Sequence, residues 1–158
     1  MASARPHSWT GLVVAGVFAL SLALIVLAYL TYALPRFAAA EINAHEVAAL
    51  QAIRTLNSAQ TQYMSQFGRY ASVLSQLGPP ASGGSNVQAA DLIPTSLANG
   101  DKDGYTFTLT ATPTGYTINT NPKVYNSTGR RTFFCDQNMT IREHWGPEPA
   151  TATSDELK

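Results

Sequence analysis

An uncharged apolar stretch near the N-terminus constrains this chain more than any other feature. From Thr10 to Ala33 the sequence contains no Asp, Glu, Lys or Arg. A helix needs about 20 apolar residues to cross the hydrocarbon core of a bilayer, so the stretch is long enough. A tryptophan at one end and two tyrosines at the other have rings suited to the membrane–water interfaces. The pattern predicts a membrane-spanning helix over 10–34, preceded by a short cytoplasmic tail, 1–9.

A cleaved signal peptide is the alternative for this stretch. The apolar core of a signal peptide usually has about 7–15 residues, followed by small residues at the cleavage site. The stretch here is longer and meets no charged residue before Arg36, which favours a retained anchor. Arg5 and Arg36 flank the two ends, so the positive-inside count is nearly even. The short tail favours a cytoplasmic N-terminus, with the remainder of the chain periplasmic or extracellular.

Residues 35–68 predict an amphipathic continuation of the helix. Pro35 is expected to kink it, because good helix formers follow the proline. Gly68 is the expected stop. Apolar side chains recur at three- and four-residue spacing, as expected for one buried helical face: Ile42, Leu50, Ile53, Leu56, Tyr63 and Phe67.

The hydrophobic period changes to two in the C-terminal half. Residues 105–110 and 116–119 alternate strictly around a Pro-Gly-containing turn, which predicts a β-hairpin. Residues 131–135 and 139–142 predict a second hairpin, and the polar tail 146–158 is expected to be flexible. The fold class predicted is α+β, a long kinked helix packed on a small antiparallel sheet, with the loop and sheet in 69–145. The expected core places Leu50, Ile53, Leu56 and Tyr63 of the helix against Phe107, Leu109, Ile118 and Phe134.

Composition argues against several functional classes. The formal net charge is zero and only 13% of residues are charged, so no basic field would attract nucleic acid. A single cysteine, Cys135, excludes an intrachain disulfide and a cysteine zinc site. No paired carboxylates, Gly-rich phosphate loop or Gly-x-Ser-x-Gly motif has the spacing that catalysis requires. We therefore expect a protein that is not an enzyme and needs no cofactor.

Two local motifs leave alternatives open. Asp101 and Asp103, in the run NGDKDG, place two carboxylates in one turn where Ca²⁺ could bind, although a simple Asx-rich turn is favoured. The continuation that an EF-hand needs is replaced by a predicted strand. Asn126-Ser127-Thr128 and Asn138-Met139-Thr140 have the form of N-glycosylation sequons, which also arise by chance in Asn- and Thr-rich chains.

The order of these parts resembles the type IV pilin family, especially the major pseudopilins of type II secretion systems. The resemblance extends over most of residues 33–143. The residues that carry it are ALPRF at 33–37, like the family's kink; EVAALQAIRTLNSAQTQY at 46–63, like its alanine-rich helix; Gly68-Arg69-Tyr70 with Leu74, Leu77 and Gly78; GYTF at 104–107; and GRRTFF at 129–134.

The resemblance implies a structural subunit held in the bacterial inner membrane before assembly. An assembly ATPase and platform proteins would extract it into a helical filament of identical copies, with axial contacts through the first helix. It also implies processing by a prepilin peptidase and, as in the pseudopilins, a calcium-binding head. The residues expected to serve the assembly helix are Gly11, Gly16, Val17, Leu20, Leu24, Leu27, Pro35 and Phe37.

The chain departs from the family at the cleavage signal. Family members have a glycine, usually Phe-Thr, and a glutamate at the fifth position after the cut, whereas neither Gly11 nor Gly16 is followed by this pattern. A charge within a membrane helix is costly and normally pairs with a partner. The absence of the family's glutamate therefore puts in question both processing and assembly of this chain. The second hypothesis is therefore an uncleaved, signal-anchored periplasmic binding domain with a pilin-like fold.

Overall fold

The computed structural model describes residues 9–158, apart from the side chains of Thr10 and Pro35. The predicted tail 1–9 lies almost wholly outside the described residues, and so does the Pro35 side chain. The chain divides into two compact units, Met1–Ala40 and Glu41–Lys158.

Helical conformation extends without a non-helical break from Trp9 to Phe67. Helix α1 comprises Trp9–Ala28, a π-helical turn comprises Tyr29–Ala33, and helix α2 comprises Leu34–Phe67. Gly68 ends α2 with a left-handed φ of 70°, and its N–H bonds the Met64 carbonyl at 2.9 Å. A left-handed glycine is a common helix terminator, and this one stands where the sequence predicts it.

The second unit is an α+β fold, as predicted. After a 3₁₀ turn at Leu74–Gln76 and a short helix α3 at Thr95–Ala98, six strands form one antiparallel sheet in sequential order. The strands are β1 Asp101–Lys102, β2 Tyr105–Thr112, β3 Gly115–Pro122, β4 Arg131–Asp136, β5 Ile141–Trp145 and β6 Asp155–Glu156. The two predicted hairpins are β2–β3 and β4–β5.

The main core lies between α2 and one face of the sheet. Ile53, Leu56 and Tyr63 from the helix are fully buried in it, and Leu50 is half-buried at its edge. The opposing strand residues Phe107, Leu109 and Ile118 belong to the same cluster. Segment 71–97 closes the remaining side of the helix with Ala71, Leu74, Leu77, Ala90, Ile93 and Leu97.

Phe134 requires a correction. It is buried, but the β4 residues that join the main core are its neighbours Phe133 and Cys135. Successive side chains of a strand point to opposite faces, so Phe134 faces away from α2. A run of apolar residues in β4 hides this alternation, because both faces of the strand are buried.

The tail 146–158 also differs from the prediction, because it is held on this second face of the sheet. Thr132 Oγ1 donates to the Glu148 carbonyl at 2.7 Å, and Asn119 Nδ2 donates to the Ala150 carbonyl at 3.1 Å. The tail then adds β6 beside β5. Its composition is that of a loose segment, but side chains of the sheet bind its backbone carbonyls.

Candidate functional site

The first unit presents an apolar helix whose side chains are exposed. Val17, Leu20, Leu24 and Leu27, predicted to carry burial in an assembly, expose more than half of their surface, as does Phe37. Gly11 is exposed, and a Cβ added at Gly16 would meet no atom within 4 Å. Among the described residues, one helix is long and apolar enough to cross a membrane, with a window mean hydropathy of 2.7.

A shallow apolar groove of about 490 Å³ lies along α1 and the start of the π-helical turn, and Leu27 is the one predicted assembly residue that lines it. The small side chains Ala19 and Ala23 form its floor between larger neighbours, because a helix brings residues four apart to one face. Close approach of a second helix is easiest where side chains are small. The lining residues are Ala19, Leu22, Ala23, Val26, Leu27 and Leu30.

The π-helical turn Tyr29–Ala33 directly precedes the residue pair Leu34-Pro35. The Leu34 N–H bonds the Tyr29 carbonyl, five residues back, and Thr31 Oγ1 bonds the Leu27 carbonyl at 2.8 Å. A proline inside a helix has no N–H and crowds the carbonyl four residues before it, which here belongs to Thr31. The π-helical turn includes Thr31, so it lies at the carbonyl that Pro35 would crowd. Long helices commonly bend at such turns.

In the second unit, Glu46 forms a buried ionic clamp between α2 and the sheet. Glu46 Oε2 accepts from Arg131 Nε at 2.8 Å, and Oε1 accepts from the Arg130 N–H at 2.8 Å. Arg131 NH1 binds Glu143 Oε2 at 2.8 Å, so one guanidinium joins two carboxylates. The Arg131 guanidinium also lies 5.2 Å from the centroid of the Trp145 ring, within cation–π range. The clamp fixes the start of the second unit's helix to β4 and β5.

Sequence reasoning missed this clamp, although a signal was present. Glu46 lies four residues after Ile42 and three before Ala49, and both neighbours are buried. A charge at the spacing of a buried helical face needs a partner inside the protein. Burial lowers the pKa of Arg131, but its hydrogen bonds to Glu143 and Glu46 outweigh this and hold the pKa above its ordinary value.

Asp101 and Asp103, the predicted calcium residues, lie at the β1–β2 hairpin. Asp103 and Gly104 have φ values of 48° and 78°, the left-handed pair that a two-residue hairpin turn requires. Lys123 binds the Asp101 carboxylate, and Lys102 Nζ lies 3.7 Å from Asp103 Oδ2. No group of three or more His, Cys, Asp or Glu side chains within 9–158 is arranged to hold a metal ion. Calcium binding at these two residues stays a prediction.

A second buried polar cluster, of three residues, joins the helix to the middle of the sheet. Asn57 Nδ2 donates to Cys135 Sγ at 3.1 Å, and Tyr116 OH donates to Asn57 Oδ1 at 3.0 Å. Burial raises the pKa of the Cys135 thiol and raises that of the Tyr116 hydroxyl well above its ordinary value. A protonated, buried thiol is a poor nucleophile, so this cluster has a structural role.

The second unit has an open groove of about 720 Å³ between α2 and the β5–β6 edge. Polar helix side chains line one wall, and Met139, Ile141 and Leu157 contribute apolar surface to the other. Arg54 and Glu156 supply one charge of each sign. The groove has the mixed character of a site for a peptide or a protein side chain.

Comparison with known proteins supplies no relative: no protein-family model, no curated protein and no solved structure matches this chain.

Proposed function

We propose that the protein is a structural subunit of a type IV pilin-like filament or a type II secretion pseudopilus. The observation that carries the proposal is the exposed apolar helix α1, which is continuous in sequence with the core helix of a small α+β unit. Before assembly a bilayer would cover α1, with the protein resident in the bacterial inner membrane and the second unit outside the cytoplasm. In a filament, neighbouring copies would cover it instead.

The order of elements supports the same proposal. An amphipathic helix is followed by a connecting segment and an antiparallel meander, which is the order implied by the resemblance. The groove over Ala19 and Ala23 adds a surface on which a second helix can approach closely. An assembly ATPase with its platform proteins would move the subunit between membrane and filament.

A signal-anchored binding domain is the alternative function, and two observations favour it. Neither Gly11 nor Gly16 is followed by the glutamate of the family's cleavage signal. The 720 Å³ groove beside α2 also offers a site for a peptide or a protein side chain. In this alternative α1 serves only as an anchor, and copies have no reason to associate through it.

The N-terminal residue and intact mass of the protein test the proposal. The protein is purified from membranes of cells with and without a prepilin peptidase. The proposal predicts a chain that begins at Leu12 or Val17 only when the peptidase is present. A full-length chain in both strains supports the permanently anchored binding domain. A cut at another site in both strains indicates a removed signal peptide and contradicts both functions.

A further inference from the structure

The hairpin between β4 and β5 carries one of the two sequons at its tip. Asn138 and Met139 are exposed, and Thr140 is half-exposed. Met139 has a left-handed φ of 64°, which turns the chain sharply at the centre of the triplet. The acceptor asparagine and the hydroxyl two residues later are therefore both at the surface, where a sequon must be to be used.

At this tip the Asn138 side chain is hydrogen-bonded to a carboxylate, and the Thr140 hydroxyl is not bonded within the described residues. Asp136 Oδ1 accepts from the Asn138 N–H at 2.9 Å, and Asp136 Oδ2 accepts from Asn138 Nδ2 at 3.3 Å. A carboxylate acceptor increases the electron density on the amide nitrogen, which is the atom that must act as nucleophile. The Thr140 hydroxyl makes no hydrogen bond to any residue in the described part of the chain, and is free to bind an enzyme.

The sequon at Asn126 is also exposed, but its asparagine bonds a cation and its threonine hydroxyl is hydrogen-bonded. Asn126 Oδ1 accepts from Arg130 Nε at 3.0 Å, and a cationic donor withdraws electron density from the amide. The Thr128 hydroxyl accepts from the Val124 N–H at 3.1 Å and donates to the Val124 carbonyl at 3.3 Å. The Thr128 hydroxyl therefore stabilises the loop in which it lies.

We propose that Asn138 is an N-glycosylation site and that Asn126 is not. The donor is a lipid diphosphate-linked oligosaccharide. Asn138 Nδ2 forms a bond to the anomeric carbon, the bond from that carbon to the diphosphate oxygen breaks, and the lipid diphosphate leaves with the bonding electrons. The amide proton passes to a base of the transferase. The proposal depends on the proposed function only in placing the second unit outside the cytoplasm.

Intact-mass and glycopeptide analysis of the full chain, purified from membranes of the cells that make it, tests the proposal. The wild-type protein is expected to gain the mass of a whole oligosaccharide on the peptide containing Asn138. Asn138→Gln and Thr140→Ala abolish this gain, whereas Thr140→Ser keeps it. The matched variant Asn126→Gln also keeps it. Thermal unfolding of each variant verifies that the hairpin is intact.

A bare Asn138 in wild-type protein overturns the proposal, and so does a glycan attached to Asn126. Protease treatment of spheroplasts separates the causes. If the second unit is digested from outside and Asn138 is bare, the glycosylation proposal alone fails. If the second unit is protected and Asn138 is bare, its placement outside the cytoplasm fails too.

Discussion

Single charged and polar side chains fix the helix of the second unit on its sheet. Glu46 is almost completely buried, with its carboxylate paired to Arg131 and to the Arg130 N–H. Removing one member of a buried pair leaves the other charge without compensation, which costs more than the pair itself contributes. Here Glu143 would still neutralise part of the Arg131 charge.

We expect Glu46→Ala to lower the free energy of unfolding by about 3 kcal/mol, the lower end of the range for a broken buried pair. Urea unfolding of the full chain in detergent, followed by near-ultraviolet circular dichroism of the buried tyrosines of the second unit, measures it. Glu41→Ala is the control, because that side chain is 75% exposed and its loss should change stability by less than about 0.5 kcal/mol. Equal effects of the two variants would show that the clamp does not stabilise the fold.

Burial of Tyr116 makes stability depend on pH in the alkaline range. Its pKa is raised in the folded state, so the folded protein keeps a proton that the unfolded chain releases above about pH 10. Stability from this group is fully present below that pH and falls as pH rises toward the folded pKa. The raised pKa of Cys135 acts in the same direction, from a lower starting pH.

Tyr116→Phe is expected to make the alkaline loss of stability shallower. At neutral pH the variant loses the hydrogen bond to Asn57 and about 1 kcal/mol of stability. Urea midpoints measured across the pH range from about 8 to 11 test this, because a tyrosine of the unfolded chain titrates near pH 10. Tyr125→Phe, at a half-exposed ring, is the control and should follow the wild-type profile. A Tyr116→Phe profile parallel to wild type would contradict the account.

Among the elements, the segments with clear periodicity were predictable and the two-residue strands were not. Alternation over residues 105–110 specified β2, which extends two residues further, and its pairing with β3 buries one face as expected. Strands β1 and β6 have only two residues each, too few to show a period. The partner of Glu46 was missed because Arg131 lies 85 residues further along the chain, and the face of Phe134 was missed because both faces of β4 are buried. Of the candidate functional surfaces, helix α1 was predictable from its apolar sequence alone.

Tail segment 146–158 was the least predictable element, because its order comes from bonds to side chains of the sheet. A chain that ends at Trp145 loses the hydrogen bonds made by Thr132, Asn119 and Arg142. We expect its free energy of unfolding to fall by about 3 kcal/mol, since each of the three bonds contributes about 1 kcal/mol. Thermal unfolding of the truncated chain measures this. Removal of Lys158 alone is the control, and an equal melting temperature for both truncations would contradict a structural role for the tail.

The function of the whole molecule depends on what covers α1. Its exposed apolar residues need either lipid or the same helix of another copy. In a bilayer, lipid covers every side of a lone anchor equally, whereas a filament brings particular faces together. The two proposed functions therefore differ in whether contacts along α1 are specific to one face.

Disulfide cross-linking along α1 distinguishes assembly through this helix from simple anchoring. Contacts between copies in a helical filament join different residues of the same helix, so cysteines are placed in pairs. In a Cys135→Ala background, the double variant Val17→Cys/Leu24→Cys, with both cysteines on one face of α1, is compared with Ala15→Cys/Leu22→Cys, which has the same spacing about 160° around the helix. Both double variants are oxidised in membranes of cells that contain the assembly ATPase. A filament subunit predicts cross-linked ladders from one of these pairs and far fewer from the other, with the difference lost when the ATPase is deleted. Equal, weak cross-linking of both pairs, unaffected by the ATPase, would contradict assembly through α1 and identify the helix as an anchor alone.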